Sequence, residues 1–277
     1  MGSDDSARQA IGREQLGAQL RRLGLRECAI AMVHTRMSAL GWVIGGSETV
    51  VRALLDVLGP HGTLMVYASW VDHVYHAEDW PAEHRDAYLA EPPVFDVATA
   101  EVDRDYGRIP ERVRTWPGAR RTAHPEASVV AVGARAKWLC ASQPDDDAYG
   151  AQSPFARLVE DRGQVLMLGA PLDTLTLLHH AEAIARSPRK RRVTFEVLVA
   201  QDGDVVKRTY TDIDTSEPGA LPYEELGHDE DDFAIIGRAA LAAGAGVRGR
   251  VGQAECHLFD AAELTRVAVA WLEERFG

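Results

Sequence analysis

The chain has 277 residues, 46% of them apolar and 26% charged, enough to close a sizeable core in one domain of ordinary size. Forty-two acids against thirty bases give a formal charge of -12, which disfavours nucleic acid and anionic lipid as partners and favours cationic ligands. No segment reaches the about 20 uninterrupted apolar residues of a membrane helix, residues 1–10 lack the apolar run of a signal peptide, and Cys28, Cys140 and Cys256 form no Cys-x-x-Cys pair suggesting a zinc site or disulfide framework.

These features predict a single cytoplasmic domain over 1–277, monomeric or homodimeric. Residues 7–23 place Ile11, Leu16, Leu20 and Leu23 on one helical face, and Gly24 stands where a left-handed C-terminal cap belongs. Cys28–His34 is a short apolar run. A glycine-bearing loop then leads to Ser47, positioned to cap a helix carrying Val50, Val51, Leu54, Leu55 and Leu58, and Thr63–Tyr67 is a second apolar run. Strand, helix and strand at this spacing make a βαβ unit, whose usual arrangement is parallel and right-handed. Residues 71–107 are rich in acids, aromatics and prolines and show little periodicity, so they read as a long irregular acidic insertion of the kind that carries function.

Further along, a strand is predicted at Val129–Val132, a helix opened by Ser153-Pro154, a strand at Gln164–Leu168 and a helix from about Leu175 to Arg186. Val193–Ala200 and Val205–Tyr210 flank the turn-like Gln201-Asp202-Gly203-Asp204 and read as a hairpin. A helix near Asp232–Ala243, a strand at Ala254–Phe259 and a last helix from Ala261 follow, with Asp260 and Glu263 spaced as a capping box. The order is that of a mixed α/β fold without internal repeats.

Six segments stand in one collinear series: VHTRMSALG at 33–41, GGSETV at 45–50, YASW at 67–70, RRTAHP at 120–125, LGAPL at 168–172 and LHHAE at 178–182, extended by KRRVT at 190–194 and CHLFD at 256–260. On these the chain resembles the antibiotic N-acetyltransferase family, specifically the enzymes that acetylate the 3-amino group of the deoxystreptamine ring. The resemblance runs from about residue 15 to the C-terminus. It implies a central mixed sheet surrounded by helices, unlike the GNAT acetyltransferases, with acetyl-CoA as donor, an aminoglycoside as acceptor, and antibiotic resistance as the outcome. Two alternatives are an acetyltransferase of the same fold acting on another amine, and a non-catalytic binder of cationic sugars, which would need an acidic cleft but no CoA loop.

Acetyl transfer from a thioester to an amine calls for a base, for donors to the developing oxyanion, and for a pocket holding both substrates. The resemblance puts the catalytic histidine at His179, and imidazole titrates near neutrality as a base should. Glu182 shares its helical face and either orients the ring or makes an ordinary helix pair; His180 points about 100° away. His124 is the rival base, its other reading being a loop histidine bonded to backbone.

The resemblance also implies CoA contacts from Thr35, Arg36, Met37 and Ser38, in a loop where backbone N–H groups suit an acyl carrier. Arg36 and Met37 replace the Ser-Leu usual in the relatives. Thr122 and Ser153 are further CoA candidates, though Ser153 before Pro154 is equally an N-cap. For the polycationic acceptor the candidates are Asp72, Asp96 and Glu101, with Asp103 and Asp105 nearby, and an unspecified carboxylate between Asp212 and Asp232, for which Glu224 and Glu225 stand as candidates. His73 and His76 have no third ligand at a sensible spacing, the reaction needs no metal, and they read as surface residues.

Overall fold

The computed structural model describes residues 10–70, 80–216 and 219–277. Its frame is a seven-stranded sheet in the order β4-β5-β2-β1-β6-β10-β9, comprising β1 (Ile30–Thr35), β2 (Thr63–Tyr67), β4 (Arg120–Arg121), β5 (Val129–Gly133), β6 (Gln164–Leu168), β9 (Gly246–Val251) and β10 (Ala254–Asp260). The centre is parallel, with β1 pairing both β2 and β6, and every outer pairing is antiparallel.

Strand alternation divides the core. Ile30, Met32, Met65, Tyr67, Val165 and Met167 face one layer of helices, and Ala31, Val33, Leu64, Val66, Leu166 and Leu168 face the other. The first layer holds α5 (Ala136–Leu139), α6 (Pro154–Glu160), α7 (Leu177–Ile184), α8 (Asp232–Ala242) and α9 (Ala261–Phe276); the second holds α1 (Arg13–Leu23), α2 (Gly46–Leu58) and α4 (Arg108–Arg114). A second sheet of three strands, β3 (Val94–Phe95), β7 (Arg192–Gln201) and β8 (Asp204–Ile213), has its own apolar cluster around Phe95, Phe195 and Tyr210.

The predicted βαβ unit forms as read, β1 and β2 being parallel with α2 between them. The helix at Ser153-Pro154 also forms, Ser153 Oγ accepting from Ala156 N. Ser47, by contrast, lies inside α2: the helix starts at Gly46 behind Gly45, which sits at φ 79 and provides no side-chain cap, because two glycines allow a sharper entry than a serine would. The hairpin is longer and tighter than read, with a two-residue Asp202-Gly203 turn, both residues at positive φ. Asp260 caps α9 through the amides of Ala262 and Glu263, but Glu263 pairs with Arg266, so only half of the capping box forms.

The segment read as irregular contains a helix, α3 (Ala82–Ala90), with β3, a 3-10 turn at Arg104–Tyr106 and, at its border, α4. No residue of α3 is buried, so it shows no apolar stripe for a periodicity reading to find. The edge strand β9, GVRGRV, was likewise not predicted: it is glycine- and arginine-rich and exists by pairing with β10 across the Gly252-Gln253 turn. No helix among the described residues is long and apolar enough to cross a membrane.

Candidate active site

The carboxyl ends of the parallel strands β1, β2 and β6 open into one cavity of about 650 Å³, the usual ligand position in such sheets. Its walls come from Val33–Ser38 after β1, Tyr67 at the end of β2, Ala170 and Pro171 after β6, and the segment Asp105–Arg108. Gly169, at φ 72, makes the turn out of β6 possible: a Cβ there would stand 3.0 Å from both Ala39 and Ala254 Cβ.

His179, in the first turn of α7, borders this cavity and also a second one of about 310 Å³. The second cavity is acidic, lined by Asp173, Glu182, Asp231 and Asp232 with Tyr223 and Phe233. His179 Nδ1 lies 2.7 Å from Glu182 Oε2. Ionised Glu182 can only accept, so Nδ1 carries the proton and Nε2 is left as the basic atom. Glu182 is 1% exposed and its other oxygen accepts from Tyr223 Oη at 2.6 Å. Burial, then the Glu182 charge, pushes the Tyr223 phenol up, keeping it a donor. Tyr149 and Phe233 hold the imidazole between rings whose centroids stand 5.3 and 4.9 Å away. His180 points elsewhere, Nδ1–H donating to the Tyr149 carbonyl at 2.6 Å.

The four residues 35–38 all line the first cavity, as does Asp105. Thr35 Oγ1 and His34 Nε2 are buried with no partner among the described residues, and burial pushes His34 down to about 4, so its ring is neutral at working pH. Thr122 and Ser153 do not line it: Thr122 Oγ1 accepts from Val129 N, and Ser153 caps α6. Asp96 turns back on its own loop, accepting from Ala98 N and Thr99 Oγ1. Asp103 caps the Arg104–Tyr106 turn. Glu101 borders a third cavity among arginines. Glu224 and Glu225 pair with Arg191 and Arg189 at the surface and do not line the acidic cavity. Asp72, His73 and His76 lie outside the described residues.

Sequence reasoning missed Tyr223, Asp173 and Asp231. Tyr223 stands 41 residues from the carboxylate it serves, a distance at which no local pattern operates. Asp231 and Asp232 were inside the acid-rich stretch but indistinguishable there from their solvated neighbours. Burial, then Asp231, raises Asp173; burial raises Asp232 as well, against the opposing hydrogen bond and charge of His228, whose Nδ1 lies 2.6 Å from Asp232 Oδ1, and with Asp231 adding to the rise. Among the described residues no three His, Cys, Asp or Glu side chains are grouped as a metal site.

His124 takes the backbone-bonded role. Its Nδ1 accepts from Glu126 N and Ala127 N at 3.2 and 2.9 Å, its ring meets Tyr210 and Phe195 edge-on, and burial pushes it down to about 3. The unfolded chain therefore binds a proton that the folded one refuses, so this histidine contributes stability above about pH 6.5 that is lost as pH falls toward 3. His124→Asn, whose Oδ1 can accept the same two amides, should show a smaller fall in melting temperature between pH 7 and pH 4 than the parent. Equal falls in both proteins would show that His124 does not titrate this way.

Over most of its length the chain is similar to known proteins. A family model described as aminoglycoside 3-N-acetyltransferase matches residues 32–273. Aminoglycoside N(3)-acetyltransferase VII of Streptomyces paromomycinus is 49% identical over 269 residues, covering 96% of this chain and 93% of that protein. The crystal structure of aminoglycoside acetyltransferase AAC(3)-Xa superposes with a TM-score of 0.92 at 46% identity, over 97% of this chain and 94% of that one. AAC-IIIb in a binary complex with CoASH gives 0.87 at 42%, over 97% and 98%.

Proposed function

Because this chain belongs to the aminoglycoside 3-N-acetyltransferase family, we propose that His179 Nε2 is the base that takes the proton from the antibiotic's amine at the meeting point of two substrate cavities. The enzyme transfers acetyl from acetyl-CoA to the 3-amino group of the deoxystreptamine ring, an acyl transfer that confers antibiotic resistance. One observation carries the assignment: His179 is in the wall of both the apolar cavity beside the Thr35–Ser38 loop and the acidic cavity. A protein that only sequestered cationic sugars would need the second cavity and not the first.

The apolar cavity suits the pantetheine arm of acetyl-CoA, whose amides would satisfy the orphaned Thr35 Oγ1 and His34 Nε2. Acetyl-CoA supplies an acyl group already activated as a thioester. The chain's part is to hold the ammonium-bearing rings among Asp173, Asp231 and Asp232, to align one amine, as its free base, with His179, and to take its proton at Nε2 as the nitrogen attacks the acyl carbon and the C–S bond breaks, that proton passing to the departing CoA thiolate. Glu182 then faces an imidazolium across 2.7 Å and stabilises it, with Tyr223 fixing the carboxylate. We place this activity in the cytoplasm, where acetyl-CoA is made and used.

Thiol release from acetyl-CoA across a panel of deoxystreptamine antibiotics, with mapping of the acetylated nitrogen, tests the reading; release with none of them rejects it. Asp231→Asn tests the acidic cavity, since asparagine still caps α8, the role Asp231 plays toward Ala234 N. Losing the charge should raise the antibiotic's KM about tenfold or more, the usual loss for a charge-assisted hydrogen bond, and make it less sensitive to salt. If the KM for acetyl-CoA rises equally, the carboxylate is a structural group.

A further inference from the structure

We infer that Lys190 and Arg191 are positioning residues for the reaction: an adjacent pair that braces Tyr223 against Glu182 and so fixes the carboxylate that orients His179. The inference rests on the histidine–glutamate reading above. It gives a role to the KRRVT segment at 190–194, which lines neither substrate cavity.

Glu182 depends on two groups from distant parts of the chain, its own helix and the phenol of Tyr223. The helix, α7, ends at Ile184, and its last carbonyls have no partner within the helix. Lys190, half-buried, supplies one: Nζ donates to the Ala183 carbonyl at 2.6 Å, next to Glu182 and at the negative end of the helix. Burial pushes this ammonium down, while Asp147, Glu182 and Glu273 support its charge against Arg192. Tyr223 sits in a 3-10 turn, Tyr223–Leu226, and donates to the other oxygen of Glu182. Arg191 holds the entry to that turn at three points. Its N–H donates to the Ala220 carbonyl at 2.7 Å, its guanidinium donates to the Gly219 carbonyl at 3.3 Å, and the same group pairs with Glu224. Arg189 pairs with Glu225 beside it. Successive Cα atoms stand about 3.8 Å apart, so one peptide unit carries both attachments and sets the register of the helix bearing Glu182 against the turn bearing Tyr223. The brace is anchored at the end of β8, where Asp214 N donates to the Arg191 carbonyl at 3.0 Å.

These attachments do not make the turn fold. Ala220 and Leu221 are buried in the core, and Tyr223 meets the Phe276 ring edge-on with centroids 5.4 Å apart. Exposed ion pairs add little to stability, so the brace decides where the phenol stands rather than whether the segment is folded. A hydrogen bond of 2.6 Å to a carboxylate that is 1% exposed tolerates little displacement. Glu224 and Glu225 are drawn outward because they are the far ends of this brace.

The test is a double-mutant cycle read in kcat with both substrates saturating. Arg191→Ala removes the guanidinium and keeps the main-chain bond to Ala220. It should lower kcat at least about fivefold, within the about 100-fold that a misplacement of about 1 Å can cost, with the KM for acetyl-CoA and the melting temperature nearly unchanged. In a Tyr223→Phe background the hydroxyl that the brace positions is already gone, so the same substitution should lower kcat less than about twofold, as expected of coupled sites. Lys190→Met should behave like Arg191→Ala, and Lys190→Arg, which can still donate to the Ala183 carbonyl, should restore turnover. Added salt screens the exposed pair with Glu224, so the saturated kcat should fall with ionic strength in the parent and stay nearly flat in Arg191→Ala. Equal falls in kcat with and without the Tyr223 hydroxyl overturn the inference, as does parental kcat in Arg191→Ala. Glu182→Gln, measured alongside, tells the two readings apart: parental turnover there would refute the histidine–glutamate pair itself, whereas turnover lost there and kept in Arg191→Ala overturns the brace alone.

Discussion

His179→Ala is expected to lower kcat by at least about 100-fold, the lower end of what a positioned base contributes, with the KM for acetyl-CoA nearly unchanged. At neutral pH the acceptor amine is largely an ammonium ion, and His179 is the histidine that borders both cavities, beside Asp173 and Phe233. Alanine removes the base and leaves the Thr35–Ser38 wall in place. His180→Ala is the control. Its Nδ1–H serves the buried Tyr149 carbonyl, so the loss should appear as about 1–3 kcal/mol of stability, with turnover retained by the folded fraction. The two variants are separated by steady-state kinetics and a melting curve each. A His179 variant that kept more than about a tenth of parental turnover would be incompatible with a general base.

Glu182→Gln should be nearly as costly, lowering kcat by about 100-fold to 10,000-fold by analogy with other histidine–carboxylate pairs. The side chain keeps its shape at 1% exposure, so the change is one of charge. With its oxygen toward His179 it retains the tautomer but no longer stabilises the imidazolium; with its amide toward the ring it forces the proton onto Nε2 and removes the base. A second readout distinguishes this from loss of packing. A change of charge at constant shape should leave the melting temperature and the KM for acetyl-CoA nearly unchanged while kcat falls. A reduced rate accompanied by an equal loss of stability would make Glu182 a packing residue.

How far the sequence reached depends on the range of the interaction involved. Leu16, Leu20 and Leu23 marked α1, and the run Gln164–Leu168 marked β6 residue for residue, because apolar periodicity records burial directly. The polar helix α3 and the edge strand β9 carry no such record. In β9 the backbone order comes from antiparallel pairing with β10. For the site, the i, i+3 spacing of His179 and Glu182 was legible because one turn of helix brings the two together whatever the rest of the chain does.

By itself, then, the sequence determined the mixed α/β class, the parallel βαβ unit, the family, and the histidine–glutamate pair, all of which rest on local periodicity or contiguous motifs. Only the tertiary structure decided which carboxylates face the histidine. Asp173 after β6 and Asp231 at the start of α8 meet across one cavity, while Glu224 and Glu225, closer in sequence to Tyr223, are drawn outward to Arg191 and Arg189. A charge in a chain can be counted, but whether it is spent on a neighbouring arginine or left facing a cavity is fixed by the packing of segments far apart in sequence.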